Sequence, residues 1–119
     1  LFRKFTRENL MTVSPAGVAM AEYDIFSFDA TEASVAGMCE MLLQSYDGFI
    51  EFLPALPSQW STGHVSGLCA EGGLVVDMSW RDGKMTSARI KATADCTFSV
   101  KGISGKIRLK KGEEKPINF

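Results

Sequence analysis

Hydrophobic and polar positions change their spacing near Gly48. Upstream, Val35, Met38, Cys39, Leu42, Leu43 and Tyr46 recur at i, i+3, i+4, i+7, i+8 and i+11, one stripe at the period of an α-helix. The spacing predicts a helix over 30–46. Asp29 followed by Glu32 resembles a capping box at its start, and Gly48 stands where a left-handed residue closes a helix. A lone amphipathic helix needs an apolar partner, so Val35, Met38, Leu42 and Leu43 are expected to pack on inward residues downstream, such as Leu53, Val76 and Phe98. The first 28 residues carry no sustained period. Leu1, Phe2, Phe5 and Leu10 fit one side of a short helix, which Ser14-Pro15-Ala16-Gly17 then breaks.

Downstream the period falls to two. Leu74, Val76, Met78 and Trp80 share one face, with Val75, Asp77, Ser79 and Arg81 on the other. Asp82-Gly83 is the strongest hairpin signal, because a type I′ turn needs positive φ at both central residues. Further runs over 49–53, 65–70, 85–91, 97–101 and 106–110, with Ile117 and Phe119 on a last edge, give six or seven short strands. The fold expected is mainly β: an antiparallel two-layer β-sandwich over 48–119. It follows a segment over 1–47 that is irregular or partly helical and ends in the amphipathic helix.

Composition narrows the function classes. The chain has 119 residues, 13 Lys+Arg against 14 Asp+Glu, and a formal net charge of -1, so it lacks the basic field of a nucleic-acid binder. No apolar run approaches the roughly 20 residues of a membrane span. Cys39, Cys69 and Cys96 lack metal-site spacing and are odd in number, which suggests three buried thiols; no metal or cofactor is expected. The chain begins with Leu1, as expected of a processed product or an excised piece. His64, the single histidine, has no ligand-spaced partner and reads as a surface residue. Lys101, Lys106, Arg108, Lys110, Lys111 and Lys115 read as outward cations that guard a sheet edge.

Between Val35 and Ile90 the residues resemble glycoside hydrolase family 95, the α-L-fucosidases. The stretch Glu40-Met41-Leu42-Leu43-Gln44-Ser45 with Asp47-Gly48 is followed by Leu53-Pro54-Ala55-Leu56-Pro57, Trp60, Gly63, Val65 and Gly67-Leu68. Gly72-Gly73, Val76-Asp77, Trp80, Gly83-Lys84 and Ala88-Arg89-Ile90 complete the series. The resemblance implies that 30–46 is similar to the last helix of an (α/α)6 barrel and 49–119 to the β-sandwich after it. It also implies an inverting hydrolase of terminal α-1,2-linked L-fucose (in some relatives, L-galactose). In such an enzyme an acid protonates the leaving oxygen, and an Asp-supported asparagine pair positions water. The partners implied are a fucosylated glycan, reached through the parent enzyme, and the remaining barrel or a second copy of the chain. The setting implied is bacterial periplasmic or secreted. A free-standing sandwich that binds carbohydrate or protein is the alternative.

Two residues stand out as site candidates. The family's Phe-x-Ile-Asp-Gly-Asn-Phe-Gly-Gly stretch aligns with Phe26-Ser27-Phe28-Asp29-Ala30-Thr31-Glu32-Ala33-Ser34, which makes Asp29 the counterpart of the water-activating aspartate. From the residues alone Asp29 reads as a helix N-cap, and both roles are compatible. Trp60 is the candidate aromatic platform for a sugar, since Trp80 and Tyr46 fall on inward faces. The general acid and the asparagine pair have no counterpart here, so the chain alone is expected to be inactive.

Overall fold

A computed structural model describes residues 5–46 and 48–119, which divide into two compact units, Leu1–Met38 and Cys39–Phe119. Two four-stranded sheets make up the second unit. One has the order β10-β7-β6-β5, built from β5 (Gly63–Ala70), β6 (Leu74–Arg81), β7 (Lys84–Ala92) and β10 (Glu114–Ile117). The other has the order β3-β4-β8-β9, built from β3 (Leu43–Gln44), β4 (Phe49–Phe52), β8 (Cys96–Val100) and β9 (Lys106–Leu109). Their inner faces share one core: Leu74, Val76, Met78, Ile90 and Ile117 from the first sheet meet Leu43, Ile50, Phe98, Val100 and Leu109 from the second. The mainly β sandwich expected from the period-two pattern is what the chain forms.

The predicted hairpin is present. Asp82 has φ 50 and Gly83 φ 73, as a type I′ turn requires, and Arg81 pairs with Lys84 across it. The ladder continues with Val76 opposite Ile90 and Leu74 opposite Ala92. Val76 and Ile90 are both 0% exposed. Complete burial of side chains of this size contributes about 1.5–3 kcal/mol each. The ion pairs are weaker: Arg89 and Lys91 reach Glu114 at 3.6 and 3.5 Å on an exposed face, where such pairs contribute at most about 1 kcal/mol.

One ladder runs against the expected antiparallel pattern. β4 and β8 are parallel, with Phe49 opposite Ser99 and Ile50 opposite Val100. Three strands of the other sheet, β5 to β7, intervene in sequence between them, and the chain re-enters this layer in the same direction. The three thiols also differ from the expected burial: Cys39 and Cys96 are only half-buried, and Cys69 departs furthest. It lies exposed on β5, because Leu68 and Ala70 take the half-buried positions on either side of it.

The helix α1 spans Phe28–Leu42, two residues earlier at its start and four shorter at its end than 30–46. Its last carbonyls are capped from outside: Leu53 N–H donates to Leu42 O at 2.8 Å and Ala55 N–H to Met41 O at 3.2 Å. Leu43 then leaves the helix to pair with Phe52 and enters the core, and Gly48, with φ 77, serves a turn between strands instead of a helix C-terminus. The expected packing of the stripe holds only at its end. Leu43 is buried and Leu42 packs against the core, whereas Val35 is 58% and Met38 38% exposed and Tyr46 is exposed too.

Within the first unit, β1 (Val13–Ser14) pairs antiparallel with β2 (Ile25–Phe26), and a 3-10 turn at Val18–Met20 lies between them. Leu10, with φ 66, is exposed, so it does not line the short helix drawn from the sequence, whereas Phe5 is half-buried; Leu1 and Phe2, the remaining members, lie outside the described residues. Among the described residues no helix is long and apolar enough to cross a membrane.

Gly83→Val should lower sandwich stability by about 1–3 kcal/mol, since a β-branched side chain resists the left-handed φ of 73. Thermal unfolding of the variant against the parent measures this. An unchanged midpoint would mean that the turn does not hold the hairpin.

Candidate functional site

Asp29 is the second residue of α1 and stands in its first turn, exposed. The helix begins two residues earlier than an Asp29 cap requires. The first helical hydrogen bond runs from Thr31 N–H to Ser27 O at 3.2 Å, so Ser27 occupies the cap position. In the first turn a carboxylate still faces the positive end of the helix, worth about 0.3–1 kcal/mol. No hydrogen bond or ion pair engages Asp29 among the described residues, and Glu32 is exposed as well.

The backbone that presents Asp29 is held by hydroxyl groups. Thr12, buried, donates from Oγ1 to Ser27 O at 2.7 Å, and its Oγ1 lies 2.8 Å from Thr31 Oγ1. Ser27 N–H returns a bond to Thr12 O at 2.9 Å. The segment before β1 is thus clipped to the start of α1. Beside this clip lies a cleft of about 340 Å³, lined by Phe5, Thr6, Val13, Pro15, Ala30 and Ser34 among others. The Thr6 hydroxyl is buried there without a partner. Arg7 and Asp24 close an ion pair at 2.8 Å across the unit's exposed side. Sequence reasoning missed the Thr12–Ser27–Thr31 clip, since scattered hydroxyl residues 15 to 19 positions apart leave no periodic signal.

Trp60 ends a 3-10 turn, Ser58–Trp60, in the second unit. The turn is fixed from two sides. Trp80 Nε1 donates to the Trp60 carbonyl at 2.6 Å, and Gly83 N–H donates to Ser61 O at 2.8 Å. Gly63 has to be glycine, because a Cβ there would sit 2.6 Å from Trp80 Cζ2. The Trp60 indole stays 36% exposed, so the loop offers an aromatic surface on a braced backbone. Asp29 and Trp60 belong to different units.

Residues 44–119 match glycoside hydrolase family 95, C-terminal domain. The chain belongs to this family. The family 95 domain begins at the strand that leaves α1 and takes in the whole sandwich, Trp60 included, while Asp29 lies upstream of it. The chain is also similar to Alpha-L-fucosidase 2 of Arabidopsis thaliana, 41% identical over 61 residues, a match that covers 50% of this chain and 7% of that protein's length.

The remaining candidates of the family 95 chain are surface groups. His64 is exposed on β5, and no group of three His, Cys, Asp or Glu side chains is placed to hold a metal among the described residues. Cys96 is half-buried, and that burial, with Asp95 beside it, raises its thiol above the usual range.

Thr12→Val should destabilise the N-terminal unit by about 1–3 kcal/mol, because it removes one of the two hydroxyl donors to Ser27 O, the other being Thr31 Oγ1, and takes the Thr12 hydroxyl away from Thr31 Oγ1 in a part-buried position. Faster amide exchange over 12–31, with exchange over 74–92 unchanged, is the expected reading; unchanged exchange in both would show that the clip does not hold the helix start.

Proposed function

We propose that this chain is the C-terminal portion of an inverting α-L-fucosidase, and that it supports the catalytic barrel without being active alone. The observation that carries this reading is the family 95 match over 44–119, with the fucosidase relative beside it. Exposed apolar side chains favour it over a free-standing module. Phe28 (59% exposed), Val35 and Met38 fall on one side of α1 and call for a cover such as the neighbouring helices of a barrel.

In this reading Asp29 contributes to water activation at the start of the last barrel helix. The Thr12–Ser27 clip holds the backbone that carries it. Trp60 contributes an aromatic surface toward the fucosylated glycan. Departure of the leaving sugar needs a proton donor, and attack needs a positioned water with a base behind it. The 119 residues supply Asp29 for the second function and nothing identifiable for the first.

The 119-residue chain should therefore release no fucose from 2′-fucosyllactose or an aryl α-L-fucoside. In the full-length protein Asp29→Asn should lower kcat by about 10²-fold or more, while stability changes by less than about 1 kcal/mol. Fucose release by the short chain in proportion to its concentration would overturn the proposal. Unchanged turnover in the Asn variant would leave Asp29 a helix-start residue only.

A further inference from the structure

The outer face of the sheet β10-β7-β6-β5 is not flat. β6 runs between two irregular neighbours. β5 is bulged between Val65 and Leu68, where Gly67 has φ 80 and donates its N–H to Asp77 Oδ1 at 2.9 Å. β7 is bulged opposite Ser79 and Trp80, so that Thr86 and Ser87 are both exposed there. Bulges bend the strands that carry them and re-aim their side chains. Two adjoining depressions result, of about 390 and 420 Å³, and both are lined by His64 and Ser79.

The floor and the rim differ in chemistry. Ser79 stands opposite His64 on one side and Ser87 on the other, and these short side chains leave room above β6. Two residues along β6 in either direction lie Arg81 and Asp77. His64 and Arg81 make no hydrogen bond or ion pair among the described residues, so their donors are free. Asp77 has one oxygen engaged by Gly67 and one left. Arg89 on the same face is turned to Glu114. The dish is thus rich in donors: a guanidinium, an imidazole and serine hydroxyls, against one half-used carboxylate.

We infer that this dish binds an acidic saccharide, with the ligand's oxyanion on Arg81 and His64 and its ring hydroxyls on Ser79, Ser87 and the free oxygen of Asp77. A planar guanidinium recognises a carboxylate or a sulfate ester through two parallel N–H bonds, the chemistry these anions share. The site is independent of Asp29 and of catalysis. It stands on the sandwich alone.

Native affinity electrophoresis of the full-length chain tests it, in gels holding dextran sulfate, polygalacturonate or neutral dextran. Retardation by one or both anionic polymers and not by dextran is the expected result, and the polymer that acts names the anion. His64→Gln/Arg81→Gln should weaken retardation at least tenfold, and Ser87→Glu, which places a negative charge on the floor, should do the same. Arg81→Lys should weaken it less, since the charge remains without the fork. Lys106→Gln/Arg108→Gln, which removes two cations from β9 in the other sheet, should leave it intact. The inference is overturned if dextran retards equally, if neither anionic polymer retards, if both dish variants bind like the parent, or if the β9 variant loses as much as they do.

Discussion

Burial of the β6 and β7 inner faces against the second sheet is the constraint on which the rest of this molecule depends. Val76 and Ile90 sit directly opposite each other with no exposed surface. Ile50 and Val100 meet them from the other layer of the same core. Truncating one such side chain to alanine costs about 2–5 kcal/mol, a large part of a domain's whole stability. The ion pairs, all with at least one well-exposed partner, contribute far less. What looks like a functional surface is therefore an appendage to this core. The Trp60 loop is braced through the buried Trp80, and the polar dish is the solvent side of the strands whose other side is the core.

The N-terminal unit is organised differently. Within the described residues its clearest tie is a hydroxyl clip of Thr12, Ser27 and Thr31, with Thr12 buried, and its large apolar side chains point outward at Phe28, Val35 and Met38. Hydrogen bonds of this kind contribute about 1 kcal/mol each and set geometry more than stability. A unit so built positions a helix start well but gains little from apolar burial. That asymmetry is the physical basis for expecting the sandwich, and not the N-terminal unit, to carry most of the apolar stabilisation.

Much of the sandwich was legible in the sequence because its signals are local. Asp82-Gly83 names its own turn, and alternation from Leu74 to Trp80 names its own inner face. The end of α1 was not legible. The stripe continues to Tyr46, but the helix stops at Leu42 because N–H groups of Leu53 and Ala55, more than ten residues away, satisfy its carbonyls. The parallel pairing of β4 with β8 was hidden for the same reason, since about fifty residues separate the partners. The catalytic reading of Asp29 was legible only through the resemblance to family 95, whereas Trp60 stood out by elimination of the inward-facing aromatics. Composition and period offer Asp29 as a cap, and the structure puts Ser27 in that position. The dish around Ser79 depends on two bulges that strict alternation does not foresee.

The central claim is that apolar burial in the sandwich, and not the N-terminal unit, carries the stability of this chain. Native-state hydrogen exchange measures it residue by residue. The account predicts that the amides of Val76, Met78, Ala88 and Ile90 exchange only through global unfolding, while those over 12–31 open at a free energy several kcal/mol lower. Equal protection in the two regions, or slower exchange in the first, would contradict it.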